Sequence, residues 1–522
     1  MSFDLPENMS HLNLSVPSER ESSGGIELNE SLLHNWIKRL PKNDLAEYTD
    51  TYLDALKAFN REIIHEKQRL ALLEIYRQPL NSLLFSLTIP KLVTTIPAPK
   101  TRLKIINNLT ELMSELAMGY KIVVMDADKH SSSLKNHKVA QLAVNRASEQ
   151  LSYMVLHAYK FYQTVPVRVF QELHMLYRLC VHAHVDRLKP ILDPQHRALS
   201  SLHDRYTQIL LVSICNPYGL HSGNVLEAYF IMEKLVSDAE ILPLPKDHAA
   251  TAGHFFINCL SDRTPTPTIM PINENWAPPP TLILNTKPLL IIADHLFDQD
   301  GNDKTIEPTI NLDLFRQLIP FLNTSYQRKQ PRIPVTGNEE VYLAFGLEAI
   351  HHCLSNIDKL TEADYKKYRS AWKILNKNSY GYLVERQHVE KFHDIKIGDF
   401  IGIFERQKSP EKAVSPSISS IRWLRTDDED YTKTGLETVD GEPIAVHYAL
   451  DDSEQSYPAL LLPEIGENHQ AASLITVPGV YTAKQTLHIK TKRKRFNFSI
   501  TLEKLLEQNS HFERFTFSDK LD

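Results

Sequence analysis

The apolar residues of roughly the first half of the chain recur with a helical period, and this pattern constrains the fold more than any other feature. One such run comprises Leu45, Tyr48, Tyr52, Leu56 and Phe59. Steps of three or four residues place these side chains on one helix face. Similar runs continue to about residue 260, and Gly119 is expected to end one helix. Long amphipathic helices need partners for their apolar faces, which predicts an all-α bundle or array.

The pattern changes after a proline-rich stretch. Residues 262–281 contain six prolines and read as a stiff, extended spacer. After residue 325, short apolar segments alternate with polar turns, which favours an antiparallel β-barrel or sandwich. These segments include residues 341–353, 398–404, 419–424 and 444–449. A hairpin over residues 486–500 and a short helix over residues 501–507 are expected near the end of the sequence.

These patterns predict a multidomain α + β protein, an N-terminal all-α region followed by a C-terminal antiparallel β-barrel. We expect a disordered leader at residues 1–28 and an all-α interaction domain at residues 29–261. A proline-rich linker and connector would occupy residues 262–325. The barrel would span residues 326–452, and a C-terminal β/α extension would span residues 453–522. Residues 282–323 fit either a connector or the end of the helical domain.

Composition restricts the class of function. The chain has 58 Lys and Arg against 64 Asp and Glu, a net charge of −6, which does not suit a dedicated nucleic-acid binder. The first residues have neither a basic nor an apolar segment of a signal peptide, and the most apolar stretch is too short and polar to span a bilayer. Four widely spaced cysteines without a CxxC pair indicate thiols in a reducing compartment. We therefore expect a cytoplasmic protein.

Two short motifs enter the predicted β region. Arg328 and Arg332 form an RxxxR pattern just before a predicted strand. Asn376, Asn378 and Gly381 lie in a predicted turn between two strands. Guanidinium groups bind phosphate oxygens bidentately and stack on purine faces, and short amide side chains can bond a base edge. Glycine lets the backbone turn and come close to a ligand. Such a pair of motifs suits a phosphate-bearing nucleotide.

This constellation resembles the PilZ domain, a bacterial receptor module for cyclic di-GMP. That family has RxxxR before its first barrel strand and [D/N]xSxxG between its second and third strands; its serine is Asn378 here. The resemblance covers roughly residues 326–450 and implies a PilZ-like barrel that binds cyclic di-GMP through the five motif residues. The predicted function is a non-catalytic receptor whose helical domain binds a protein partner. The alternative is an assembly protein whose PilZ-like module has lost the nucleotide, and the simplest competing interpretation is a surface arginine pair beside an ordinary turn.

Other polar clusters are weaker candidates for a functional site. Cys180, His182 and His184 are metal-ligating residue types, but helix positions two apart do not face each other. We interpret the histidines as helix-surface residues and Cys180 as a buried thiol, and we expect no metal and no cofactor besides the nucleotide ligand. The basic run from Lys490 to Arg495 is interpreted as the solvated arm of a hairpin, although it also suits an acidic partner. The sequence contains no hydrolase, P-loop or cyclic di-GMP-turnover motif, so no catalytic residue is predicted.

Overall fold

The structure is a computed structural model, and its elements form two compact units. The chain divides between Gln327 and Arg328, and each unit has its own core. The described residues are 5–6, 9, 11–17, 20, 26–84, 100–189, 200–245, 251–267, 281–298, 310–324, 331–357, 367–387, 395–405, 416–427, 431–450, 455–464, 471–491 and 497–519.

The first unit is mainly helical, as the apolar period predicts. Its helices are α1 (Glu30–Arg39), α2 (Leu45–Arg61), α3 (Glu66–Leu84), α4 (Lys100–His130), α5 (Lys138–Lys160), α6 (Val169–His182), α7 (Leu202–Ile214), α8 (Ser222–Leu235), α9 (Lys287–Asp298) and α10 (Leu312–Leu322). Three antiparallel strands complete the unit in the order β1–β3–β2, namely β1 (Glu240–Pro243), β2 (His254–Asn258) and β3 (Thr281–Asn285). The predicted all-α region is therefore a helical unit with one small sheet.

Gly119 does not end a helix, contrary to the expectation from sequence. It lies in the interior of α4, which continues for eleven more residues to His130. A β-carbon at this position would lie 2.5 Å from Leu73 Cδ2 and 2.8 Å from Asn60 Oδ1. The glycine therefore permits close packing of α4 against α2 and α3.

The described residues of the leader differ from the expectation of a disordered segment, because they contact the helical unit. Leu12 and Leu14 are only 5% and 6% exposed and join the core of the helical unit. Arg20 forms a two-point ion pair with Asp126 of α4. The polar composition of the leader did not reveal that these two apolar side chains are buried.

The elements after the proline-rich stretch pack with the helical unit. Residues 268–280 of that stretch lie outside the described residues. Leu284 of β3, Leu289 of α9 and Phe315 of α10 are all buried in the helical core. Of the two interpretations of residues 282–323, the structure agrees with the one that makes them the end of the helical domain.

The second unit begins with a closed antiparallel barrel, which we call the first barrel. Its sheet has the strand order β4–β6–β5–β8–β9–β10–β7, and a further pairing of β6 with β7 closes it. The strands are β4 (Ile333–Pro334), β5 (Glu340–Phe345), β6 (Arg369–Asn378), β7 (Gly381–Gln387), β8 (Phe400–Glu405), β9 (Ser417–Thr426) and β10 (Tyr431–Val439). The predicted fold class, helices followed by an antiparallel barrel, is confirmed.

A second closed barrel follows, in the order β11–β12–β13–β16–β15–β14. Its strands are β11 (Ile444–Leu450), β12 (Tyr457–Leu462), β13 (Ser473–Thr476), β14 (Thr486–Lys490), β15 (Asn497–Gln508) and β16 (Glu513–Asp519). Two expectations are wrong here. Residues 444–449 form a strand of the second barrel rather than the first. Residues 501–507 belong to β15 rather than to a helix, because pairing with β16 overrides their helical propensity.

A helix between strands joins the two barrels. The segment 341–353, expected to be a strand, divides at Gly346 into β5 and α11 (Leu347–Ser355). Gly346 has a φ of +80°, which favours glycine and breaks the strand. One apolar cluster combines Ile350 of α11 with Phe400 of the first barrel and Phe512 of the second. The two barrels therefore share a core.

Candidate functional site

The second arginine of the RxxxR motif lies against the first barrel. Strand β4 pairs with the end of β6, with Pro334 opposite Asn376. This pairing places Arg332 beside the β6–β7 hairpin. Its Nη1 donates to Asn376 Oδ1 at 3.5 Å, and its Nη2 donates to the Leu436 carbonyl oxygen at 3.4 Å. Both distances are at the long end of the range for hydrogen bonds.

Asn378, which stands where the resembled family has serine, connects the hairpin to the segment with the arginines. Its Oδ1 accepts a hydrogen bond from the backbone N–H of Tyr380 at 3.0 Å. Its Nδ2 donates to the Pro331 carbonyl oxygen at 3.4 Å. The first bond forms an Asx turn, and the second reaches the residue before Arg332. A serine is too short to make both contacts in the same way.

Gly381 lies where the backbone of the neighbouring strand β10 comes very close. It pairs with Asn378 across the hairpin and with Glu437 of β10. A β-carbon here would lie 2.0 Å from the carbonyl oxygen of Leu436. Any side chain at this position would therefore displace strand β10. The same Leu436 carbonyl oxygen accepts the hydrogen bond from Arg332.

The structure brings four of the five predicted site residues together. Arg332, Asn376, Asn378 and Gly381 meet at the β6–β7 hairpin, although more than forty residues of sequence separate the arginine from the other three. Arg328 lies outside the described residues. Nearby charges are paired, since Lys377 lies 3.5 Å from Glu339 and Arg422 pairs with Glu437.

The sequence predicted no role at the site for Trp423 of β9, which lies three strands away from Asn376. Its half-buried indole lies over Gly435, where a β-carbon would come within 2.0 Å of Nε1. Gly435 pairs with Leu383, and Leu383 pairs with Asn376, so one row across four strands runs from the indole to the motif. Neighbouring strands lie about 4.8 Å apart. A glycine directly across from a strand tryptophan is the sequence signal for an indole that packs over the neighbouring backbone.

A charged cavity lies further along the same strands. It has a volume of about 420 Å³, and its lining includes Lys373, Glu385, Asp427 and Lys433. Lys433 lies 3.1 Å from Asp427, and Lys373 lies 3.4 Å from Glu385. The charges are thus balanced within the cavity. None of the motif residues lines it, so we treat it separately from the candidate site.

The histidine and cysteine candidates occupy ordinary structural positions. Cys180 is buried in α6, while His182 and His184 are exposed. The nearby His174 is buried, which lowers its pKa to about 4, and it contacts the Tyr206 hydroxyl and the Arg263 carbonyl. Within the described part of the chain, no three His, Cys, Asp or Glu residues form a group that could hold a metal ion. Most of the basic run, residues 492–495, lies outside the described residues, and Lys490 belongs to β14.

The described helices were compared with the length and apolar character of membrane-spanning helices. Not one of them combines the length and the apolar character that crossing a bilayer requires.

Two family models match the chain. Residues 31–246 match the N-terminal domain of the cyclic-di-GMP receptor FimW, and residues 445–520 match the FimW C-terminal beta-barrel domain. The chain is similar to FimW in both domains. The second match coincides with the second barrel, and the candidate site in the first barrel lies between the two matched segments. The resemblance to a cyclic di-GMP receptor is thereby confirmed.

A curated relative is also similar to this chain. The cyclic-di-GMP receptor FimW of Pseudomonas aeruginosa is 25% identical over 362 residues, which cover 67% of this chain and 57% of the relative. The chain thus spans little more than half the length of that relative. The crystal structure of PlzA from Borreliella burgdorferi in complex with c-di-GMP aligns with 36% of this chain and 88% of PlzA, at 8% identity and a TM-score of 0.14. This score is too low to support an inference.

Proposed function

We propose that the protein is a cyclic di-GMP receptor and that the nucleotide binds at the β6–β7 hairpin of the first barrel. The observation that carries the proposal is the meeting of Arg332 and Asn376, two motif residues brought together by the pairing of β4 with β6. The similarity to FimW at both ends of the chain supports the same ligand.

The proposed site suits the chemistry of this ligand. Cyclic di-GMP has two phosphates and two guanine bases. Arg332 would exchange its two long hydrogen bonds for charge-assisted bonds to a phosphate or for stacking on a guanine. Asn376 offers an amide to a base edge, and the indole of Trp423 offers a flat face to a purine. We assign Asn378 and Gly381 to positioning, because they hold the linker and the strands. Arg328, four residues before Arg332, would supply the second guanidinium.

We further propose that binding acts on the chain between the two units. Arg332 lies five residues after Gln327, the last residue of the helical unit. A ligand that holds the start of the second unit restricts the adjoining segment, and this restriction is the signal that the helical unit would pass to a protein partner. The role is that of a non-catalytic receptor. A cytoplasmic location is supported by the four cysteines, which are all buried free thiols.

Titration calorimetry of the full chain with cyclic di-GMP tests the site. Each charge-assisted hydrogen bond contributes roughly 1.5–3 kcal/mol. The Arg332→Ala variant should therefore bind roughly ten- to a hundredfold more weakly than the unmodified protein. Arg316→Ala is a matched control, because it removes an exposed arginine of α10, in the other unit.

The two ways in which this experiment can fail have different meanings. If the unmodified protein binds and Arg332→Ala binds equally well, the receptor function stands and the site is wrong. If the folded, unmodified protein does not bind cyclic di-GMP, the receptor function is wrong. The first barrel would then be a docking module without a nucleotide, which is the assembly-protein alternative.

A further inference from the structure

The leader contacts the helical unit in the way that a bound peptide contacts its receptor. We call residues 11–17 and Arg20 the strap. Leu12 and Leu14 are buried, whereas His11 and Asn13 are exposed. Side chains that alternate between buried and exposed positions indicate an extended backbone. The strap lies in no helix or strand. Its own side chains hold it in place, together with hydrogen bonds to side chains of the helical unit.

The helical unit binds the strap partly through its backbone. The Asn13 carbonyl accepts a hydrogen bond from Arg168 Nη2 at 2.7 Å, and the Ser15 N–H donates to Glu172 Oε1 at 2.7 Å. Glu172 is 2% exposed, and its other oxygen lies 2.8 Å from Lys121 Nζ of α4. The buried carboxylate of Glu172 thus contacts the helical unit through one oxygen and the strap through the other. Backbone bonds of this kind give affinity for any extended segment.

Three side chains of the strap make its contact with the helical unit specific. Leu12 and Leu14 enter the apolar core of the helical unit. Arg20 binds Asp126 with two hydrogen bonds of 2.8 Å each, a bidentate geometry that fixes the register of the strap on α4. The surface formed by α4 and the start of α6 therefore recognises two apolar side chains two residues apart, followed by an arginine six residues after the second.

We propose that this α4–α6 surface is a peptide-docking site, that the strap fills it in cis, and that its partner in trans is an extended segment with the same pattern. The chain length allows the strap to leave. Ten residues connect Arg20 to the start of α1 at Glu30, which reach about 33 Å when extended. The strap can thus dissociate without unfolding α1. This proposal does not depend on nucleotide binding, so its test is independent of the previous one.

A labelled peptide of residues 9–20 is the probe, and fluorescence anisotropy is the measurement. A variant that lacks residues 1–22 should bind the peptide saturably. The full chain should bind it at least tenfold more weakly, because the tethered strap competes at a high effective concentration. The peptide with Leu12→Asp and Leu14→Asp should lose at least tenfold in affinity, while the peptide with His11→Gln, at an exposed position, should keep its affinity.

A second variant separates docking from folding. In the full chain, Leu12→Asp with Leu14→Asp should release the strap and allow the unmodified peptide to bind, whereas His11→Gln should not. Circular dichroism checks that each variant is folded. Absence of peptide binding to the folded variants, or equal binding by the full and shortened chains, would overturn the proposal. Unfolding of both variants would also overturn it, because the strap would then be an integral part of the core.

Discussion

Gly381 illustrates what the sequence could and could not predict about single residues. The motif predicted a glycine that lets a ligand approach the backbone. The structure places it next to a different neighbour, the carbonyl oxygen of Leu436 in β10. Asn378 is similar, since its residue type suggested a contact to a base while its bonds go to Tyr380 and Pro331. Residue types at a motif predict a location, but only the partner strands decide which side chains remain available to a ligand.

The close approach at Gly381 leads to a prediction about stability. A methyl group in Gly381→Ala would lie 2.0 Å from a backbone oxygen, which cannot move as a flexible side chain can. We expect a loss of about 3 kcal/mol in the free energy of unfolding of the second unit, the upper end of overpacking costs. Chemical unfolding followed by circular dichroism measures it. A change smaller than about 0.5 kcal/mol, within the ordinary range of surface substitutions, would contradict the strand arrangement at this hairpin.

At the scale of elements, local patterns were good predictors of helices and poor predictors of strand membership. The apolar period of α2 is visible in the sequence because it reflects one buried face. The segment 501–507, with its Glu, Lys and Leu residues, has a high helical propensity. It nevertheless forms part of β15, because β16 pairs along it and β14 pairs with its first residue, Thr501. Strand pairing is non-local, so a single sequence does not reveal it.

The prediction at the scale of elements concerns Gly119→Ala, and Gly223→Ala is its control. In Gly119→Ala the gain in helix propensity, about 0.5–1 kcal/mol, competes with overpacking against Leu73 and Asn60, which costs about 1–3 kcal/mol. We expect a net destabilisation of about 1–2 kcal/mol. Gly223→Ala in α8 has no heavy atom within 4 Å of the added carbon, so it should be neutral or stabilising. Thermal unfolding measures both, and changes of the same sign would contradict the close packing of α4.

For the whole molecule, the sequence predicted the order of helical and β regions but not the number of barrels. Alternation of apolar and polar residues identified residues 444–449 as a strand without indicating which sheet it joins. In the structure it begins the second barrel at Ile444, and the matched FimW C-terminal segment begins one residue later. The first barrel, with the candidate site, thus lies between the helical unit and the second barrel in sequence, and α11 packs against strands of both barrels.

The shared core predicts that the two barrels lose stability together. Phe512 is 1% exposed, and its ring centroid lies 4.7 Å from that of Phe400 in the first barrel. Phe512→Ala should cost about 3–5 kcal/mol, typical of removing a buried aromatic ring. Hydrogen exchange of the full chain should then show comparable losses of protection in β8 and in β16. Leu506→Ala is the control, because Leu506 is 44% exposed on β15 and its removal should leave both strands protected. Loss of protection in β16 alone would mean that the barrels are independent, and that a ligand held on the first barrel has no route through this core to the second.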